Sequence, residues 1–228
     1  MRPSDSDRPF DGEGEEPGEL AWNEFDWERY FRKQDEGLYL YLAFYEKLRA
    51  HPERIDEVAR LMGWEADDAR DDASEANEAA EAAPGNDDGE PYTLHQNPVF
   101  IATRAIYLSL TRTWELIAGD AGKVPQPLAV GFLSSLHRSE QHALLAIQSL
   151  DLGDYTMAIA LFKRALGEVN STLALIDDKT AASHRALAAY RDDAIPRLFD
   201  LREIWLRVTG ECRDEIARQT EDVEDDDL

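Results

Sequence analysis

From residue 97 onward, large apolar residues recur at intervals of three and four, a period that predicts amphipathic α-helices. Two consecutive segments show this pattern most clearly. The apolar stripe of the first consists of Tyr155, Ile159, Phe162, Leu166, Val169, Leu173 and Ile176. The apolar stripe of the second consists of Leu187, Ala194, Leu198, Leu201, Trp205, Val208 and Cys212. Helices with such stripes pack along a common seam, so the pattern predicts a helical bundle.

Capping and turn residues divide this region into four predicted helices. Asn97 and Pro98 are typical of an N-cap and a first helical residue. The helices are predicted over residues 98–118, 127–150, 155–176 and 180–218. The last keeps its phase through Pro196, which favours a kink over a break. Because the loops are short, consecutive helices should run antiparallel. We therefore expect an all-α protein with an up-down four-helix bundle over residues 97–218, in a domain of residues 92–218.

A further, aromatic-rich helix is predicted to pack on this bundle. Residues 24–50, within an N-terminal helical segment of residues 22–64, have apolar residues at helical spacing, although the run 38–45 is also compatible with a strand. The first bundle helix has three charged residues and needs cover on most sides. Either the aromatic helix or a second subunit would supply that cover, so we expect a homo-oligomer or a protein partner. The candidate interface residues are Tyr39, Tyr41, Phe44 and Tyr45.

The net charge of −24 is concentrated in three segments. Residues 1–21 have a net charge of −5, residues 65–91 one of −10 and residues 219–228 one of −6, so the rest is near neutral. We interpret them as an acidic flexible tail, a linker that is either disordered or a lone solvated helix, and an acidic C-terminal tail, because they have few large apolar residues to offset the entropy of ordering. Without clustered positive charge, direct binding to nucleic acid or to a membrane surface is not expected. A further interpretation is that the acidic segments mimic nucleic acid.

Sequence signals for export, cofactors and catalysis are missing. The first twenty residues lack the apolar stretch of a secretory signal, and no segment approaches the ~20 apolar residues that span a bilayer. A cytoplasmic location is therefore expected. The single cysteine, Cys212, excludes an internal disulfide and a cysteine-based zinc site. No phosphate-binding loop, dinucleotide-binding glycine motif or metalloprotease motif is present. We predict no cofactor and no metal, and favour a non-enzymatic protein.

A polar cluster interrupts the apolar pattern of the second bundle helix, where residues 137–142 are all polar. Helical steps from Leu136 place Glu140 on the apolar stripe. A carboxylate in a core must be paired, hydrogen-bonded, metal-bound or protonated. Folding the helices back about their predicted turns brings other ionisable residues to the same level. The predicted polar layer consists of Glu140, Arg104, Arg164 and Asp192 or Asp193, with His137 one turn away.

Three interpretations of this polar layer stay open. It is an internal ion-pair network that fixes helix register, a polar part of an interface, or a ligand or metal site. A metal site is disfavoured because di-iron bundles use Glu-x-x-His, whereas here His137 precedes Glu140.

The fourth bundle helix interleaves seven arginines with seven acidic residues. Because the two signs are matched, we interpret them as a solvated face with ion pairs four residues apart.

The favoured function is protein association, structural or regulatory, through the apolar and aromatic surfaces. The alternative is an enzyme or a ligand-binding bundle that uses the layer around Glu140.

Overall fold

The structure, a computed structural model, describes residues 22–64, 93–177 and 185–226, with side chains up to residue 221. This part of the chain is all-α, as predicted, with six α-helices, one turn of 3-10 helix and no strand. The helices are α1 Glu24–Lys47, α2 Arg54–Met62, α3 Pro98–Ala118, α4 Gln126–Asp151, α5 Tyr155–Leu175 and α6 Arg185–Asp226. The predicted tail of residues 1–21 and the predicted linker of residues 65–91 lie outside the described residues.

Side-chain caps start three of these helices. Asn23 begins α1 with a capping box, in which its side chain accepts from the amide of Asp26 and the Asp26 carboxylate accepts from the Asn23 amide. Asn97 accepts hydrogen bonds from the first amides of α3, which has proline at its first position. Asp154 caps α5 after Gly153, whose φ of 74° suits glycine in the tight turn from α4. Local sequence therefore sets where these helices begin.

The core is centred on α3, which contacts α1, α4 and α6. The largest fully buried side chains include Trp114 of α3 and Trp205 of α6. α4 and α5 form an antiparallel hairpin, and α5 also packs on α6. The predicted N-terminal helix packs on the bundle as α1, which covers α3 and also reaches α6. The first bundle helix is therefore covered within the chain itself. The prediction of a partner depended on the lack of such cover.

The last helix differs from its prediction at its C-terminal end. It runs through Pro196 as one helix and continues to Asp226, into the predicted tail of residues 219–228. No glycine or proline follows Gly210, and the 3.3 Å bond from Gln219 to Glu215 supports the helical turn there. Across the described residues, no helix is both long enough and apolar enough to cross a membrane.

Candidate functional site

Arg104 of α3 and Glu140 of α4 form an ion pair, as the predicted polar layer requires. The pair lies at the edge of the bundle, because the Arg104 side chain is partly exposed while Glu140 is mostly buried. A carboxylate with this partner is compensated in place. The pair joins α3 to α4 and so fits the interpretation that it fixes helix register.

The bundle interior beside this pair is polar but uncharged. The buried Tyr107 hydroxyl donates to Ser139 Oγ at 2.6 Å, and Ser139 Oγ donates to the Ala165 carbonyl oxygen at 2.9 Å. This chain of hydrogen bonds links α3, α4 and α5. Burial raises the pKa of Tyr107, so its phenol stays protonated. Neutral hydroxyls therefore occupy the core position at which the sequence pattern predicted charge.

The stability losses from removing the two hydroxyls of this chain should not add up. Ser139→Ala should lower the free energy of unfolding by about 1–3 kcal/mol, because the buried Tyr107 hydroxyl loses its acceptor. In the double variant Tyr107→Phe/Ser139→Ala no orphaned phenol remains, so the total loss should be smaller than the two single losses added together. Urea unfolding of the four proteins measures this, and strictly additive losses would contradict it.

A second polar contact lies one helical turn away, between α4 and α5. Arg138 binds Glu168 through two hydrogen bonds of 3.0 and 2.9 Å, and buried Ser135 Oγ lies 2.9 Å from Thr172 Oγ1. The hydrogen bonds from Arg138 lower the pKa of Glu168. Glu168 is therefore ionised near neutral pH and paired. These contacts join side chains of α4 to side chains of α5 along the hairpin that the two helices form.

The other predicted members of the layer are elsewhere. His137 and Arg164 are exposed, on α4 and α5. Asp193 binds Arg197 of its own helix at 3.1 Å and Arg49 at 2.6 Å, where α6 meets the end of α1. A single layer of Arg104, Glu140, Arg164 and Asp193 is therefore wrong, and only its first two residues meet.

The error comes from the connection between α5 and α6. Phe162 and Trp205 face each other at 6.1 Å between ring centroids, and Arg191 Nε donates to the Ile176 carbonyl oxygen at 3.0 Å. These contacts put Arg164 level with about residue 203, roughly 15 Å along the helix from Asp193. The predicted pairing of α5 with α6 was therefore about ten residues out of register along α6.

A charged cluster missed by the sequence analysis lies where α1 and α2 meet α6. Asp200 accepts hydrogen bonds from the Tyr45 hydroxyl and from Arg54. Arg197 binds Glu46 through two hydrogen bonds of 2.6 and 3.1 Å, and its guanidinium lies 5.5 Å from the centre of the Tyr45 ring. The interpretation of this face of the helix as solvated is wrong for Arg197 and Asp200. Arg197 follows Ala194 by three residues on the apolar stripe, a spacing that could have marked it as buried.

The four candidate interface residues have different surroundings. Tyr41 and Tyr45 are buried inside the chain, and Phe44 is partly buried against the core. Tyr39 is half exposed, but Arg112 donates to its hydroxyl at 3.0 Å and lies over its ring. These residues attach α1 to the bundle, which leaves little of the surface of Tyr41 and Tyr45 for another molecule.

A different part of α1 exposes aromatic rings. Trp22, Trp27 and Phe31 form an aromatic surface, with ring centroids 4.9 Å apart for the first pair and 6.1 Å for the second. Trp27 is 40% exposed and Phe31 46% exposed. Beneath them, buried Tyr30 bonds to Thr93 and to His95 Nδ1, the latter at 3.1 Å. The exposed rings are therefore held on a rigid base.

Within the described ranges, no group of three or more His, Cys, Asp and Glu residues is arranged to hold a metal ion. Comparison of the chain with models of protein families finds no match. Neither the curated proteins nor the solved structures contain a match to it.

Proposed function

We propose that this protein acts through protein association and that the aromatic surface of Trp22, Trp27 and Phe31 is its contact with the partner. The observation that supports this proposal is the exposure of Trp27 and Phe31 above a buried, hydrogen-bonded Tyr30. Tryptophan and tyrosine are over-represented among the residues that dominate binding energy at protein interfaces. Rings that are already ordered lose little conformational entropy when a partner binds.

Charge favours a partner of a different kind from this chain. Two copies that each have a net charge of −24 repel each other at low ionic strength. Around the aromatic surface, Arg29 pairs with Asp26 and Arg32 pairs with Glu28, which neutralises these two arginines. Over residues 22–36, five acidic residues stand against three basic ones, so this part of the chain has a net charge of −2. We therefore expect a protein that presents an apolar pocket rimmed by lysine and arginine.

The experiment compares three proteins as baits in extracts of the native cells. They are the wild type, the double variant Trp27→Ala/Phe31→Ala, and a control, Leu116→Ala, which removes an exposed apolar side chain at the far end of α3. The candidate partner is a basic protein that binds to the wild type and to the control but not to the double variant. Its purified form should then bind the double variant about 30-fold to 1,000-fold more weakly, which corresponds to about 1–2 kcal/mol for each of the two rings removed.

Two further measurements complete this test. The dissociation constant should rise with salt concentration, because the expected rim contacts are ionic. Sedimentation velocity of the wild type and the double variant tests whether the surface binds a second copy of this chain. A wild-type dimer that is absent in the double variant would mean that the surface mediates self-association and not binding of a basic partner. Equal binding by all three baits would refute the assignment of this surface.

The remaining predictions keep weaker support. No cavity described here is lined by Glu140, and its pairing with Arg104 gives a structural reason for the residue. Acidic mimicry of nucleic acid depends on residues 65–91, which lie outside the described residues. A cytoplasmic site of action is part of the proposal and is supported by the single, buried Cys212.

A further inference from the structure

A cavity of about 380 Å³ lies where α2, the start of α3 and α6 meet, away from the aromatic surface. Its wall is mainly apolar and includes Ile55, Trp64, Val99, Ala102, Ile204 and Val208. A concave, mostly apolar site of this size fits a small organic molecule.

Aromatic rings form one side of this cavity. The ring of Tyr41 stacks on Tyr45 at a centroid distance of 6.0 Å and on Trp64 at 5.6 Å, with interplanar angles below 20°. Tyr41 and Trp64 both line the cavity. Such rings offer a large apolar area to the body of a ligand.

Tyr41 contributes its ring and not its hydroxyl to this wall. The side chain is 1% exposed, and its hydroxyl oxygen is closed to solvent and has no hydrogen-bond partner within the described part of the chain. The wall beside Trp64 is therefore apolar, and the polar contacts of a ligand have to come from the rim.

The rim of the cavity has an excess of negative charge. Arg207 is already bound by two carboxylates, through Asp56 and through Glu203 at 2.9 Å. Glu211 lies on the same rim and forms no ion pair with a residue that the structure describes. The rim therefore favours a cationic group over an anionic one.

We propose that this cavity binds a small primary amine with an aromatic or aliphatic body. The body lies against Trp64 and the apolar wall, and the ammonium group pairs with the Glu211 carboxylate at the rim. This site is independent of the aromatic surface on α1, so either proposal can fail without the other.

Titration calorimetry of the full chain with phenethylamine tests the site, with 3-phenylpropanoate as the probe that has the same ring and the opposite charge. We expect one phenethylamine per chain and no binding of 3-phenylpropanoate. Glu211→Gln should weaken phenethylamine at least tenfold. The matched control Glu221→Gln removes the same charge about 15 Å further along α6 and should leave the affinity unchanged.

Two more variants place the probe inside the cavity. Tyr41→Phe keeps the ring and removes no hydrogen bond within the described chain, so neither its melting temperature nor its affinity for phenethylamine should fall. Ala59→Phe should fill the cavity from α2 and abolish binding, with circular dichroism to confirm that the variant is folded. The proposal is overturned by absence of binding, by equal binding of the two probes, or by binding that is unchanged in Glu211→Gln and Ala59→Phe.

Discussion

Replacing Trp205 with alanine should lower the free energy of unfolding by about 3–5 kcal/mol, the usual loss for a large aromatic side chain in a core. Trp205 is fully buried on α6 and stacks between two rings, with Tyr107 of α3 at 6.2 Å and Phe162 of α5 at 6.1 Å. Its indole N–H donates to Thr103 Oγ1 at 3.2 Å. One side chain thus joins three helices, and its removal leaves a cavity between them.

Denaturant unfolding followed by circular dichroism measures this loss. Leu206→Ala is the matched control. Leu206 is the next residue on the same helix, and its side chain lies largely outside the core, so its replacement should cost about 0.5 kcal/mol or less. Trp205→Phe should fall between the two, since it keeps an aromatic ring but loses the bond to Thr103. A Trp205→Ala variant as stable as Leu206→Ala would mean that α6 does not pack here as described.

The helices could be predicted because their signals are local. Apolar spacing requires only that one face of each helix be buried, and the caps at Asn23, Asn97 and Asp154 act on the next few residues. The position of α1 also followed from a simple requirement, since the apolar α3 needed cover. These features depend on residues close together in the sequence, or on burial alone.

Pairing between helices could be predicted only where the connecting loop was marked. Glycine and proline bound the loop between α3 and α4, so Arg104 was placed correctly opposite Glu140. The connection from α5 to α6 has no such residues, so the register of α5 against α6 was predicted wrongly. Arg164 was therefore placed beside residues of α6 that it does not meet. Long-range register thus depends on loop geometry that hydrophobic spacing does not encode.

Buried polar groups were the least predictable feature. Ser135, Ser139 and Thr103 are fully buried and hydrogen-bonded, yet small hydroxyl residues on a helix suit a core and a surface equally well. The aromatic surface was missed for the opposite reason. Trp27 fits the helical stripe of α1, and helical spacing does not tell an apolar residue that is covered from one that is left exposed.

Replacing Arg197 with alanine should lower the free energy of unfolding by about 2–4 kcal/mol. Its side chain is 6% exposed, binds Glu46 and Asp193, and lies over the Tyr45 ring, so it connects α6 to α1. Breaking a buried ion pair usually costs about 3–5 kcal/mol because a charge is left without compensation. Here the loss should be somewhat smaller, since Asp193 keeps Arg49 at 2.6 Å and Glu46 can reach water.

Arg207→Ala provides the matched control on the same helix. Arg207 also holds two carboxylates, Asp56 and Glu203, but its side chain is 47% exposed. Solvent screening should limit its loss to about 0–1 kcal/mol. Urea unfolding at low and high salt separates the two variants, because the effect of Arg197→Ala should persist in salt that removes the effect of Arg207→Ala. Equal, salt-sensitive losses of stability in the two variants would contradict this prediction. They would show that the contact of Arg197 with α1 is exposed to solvent.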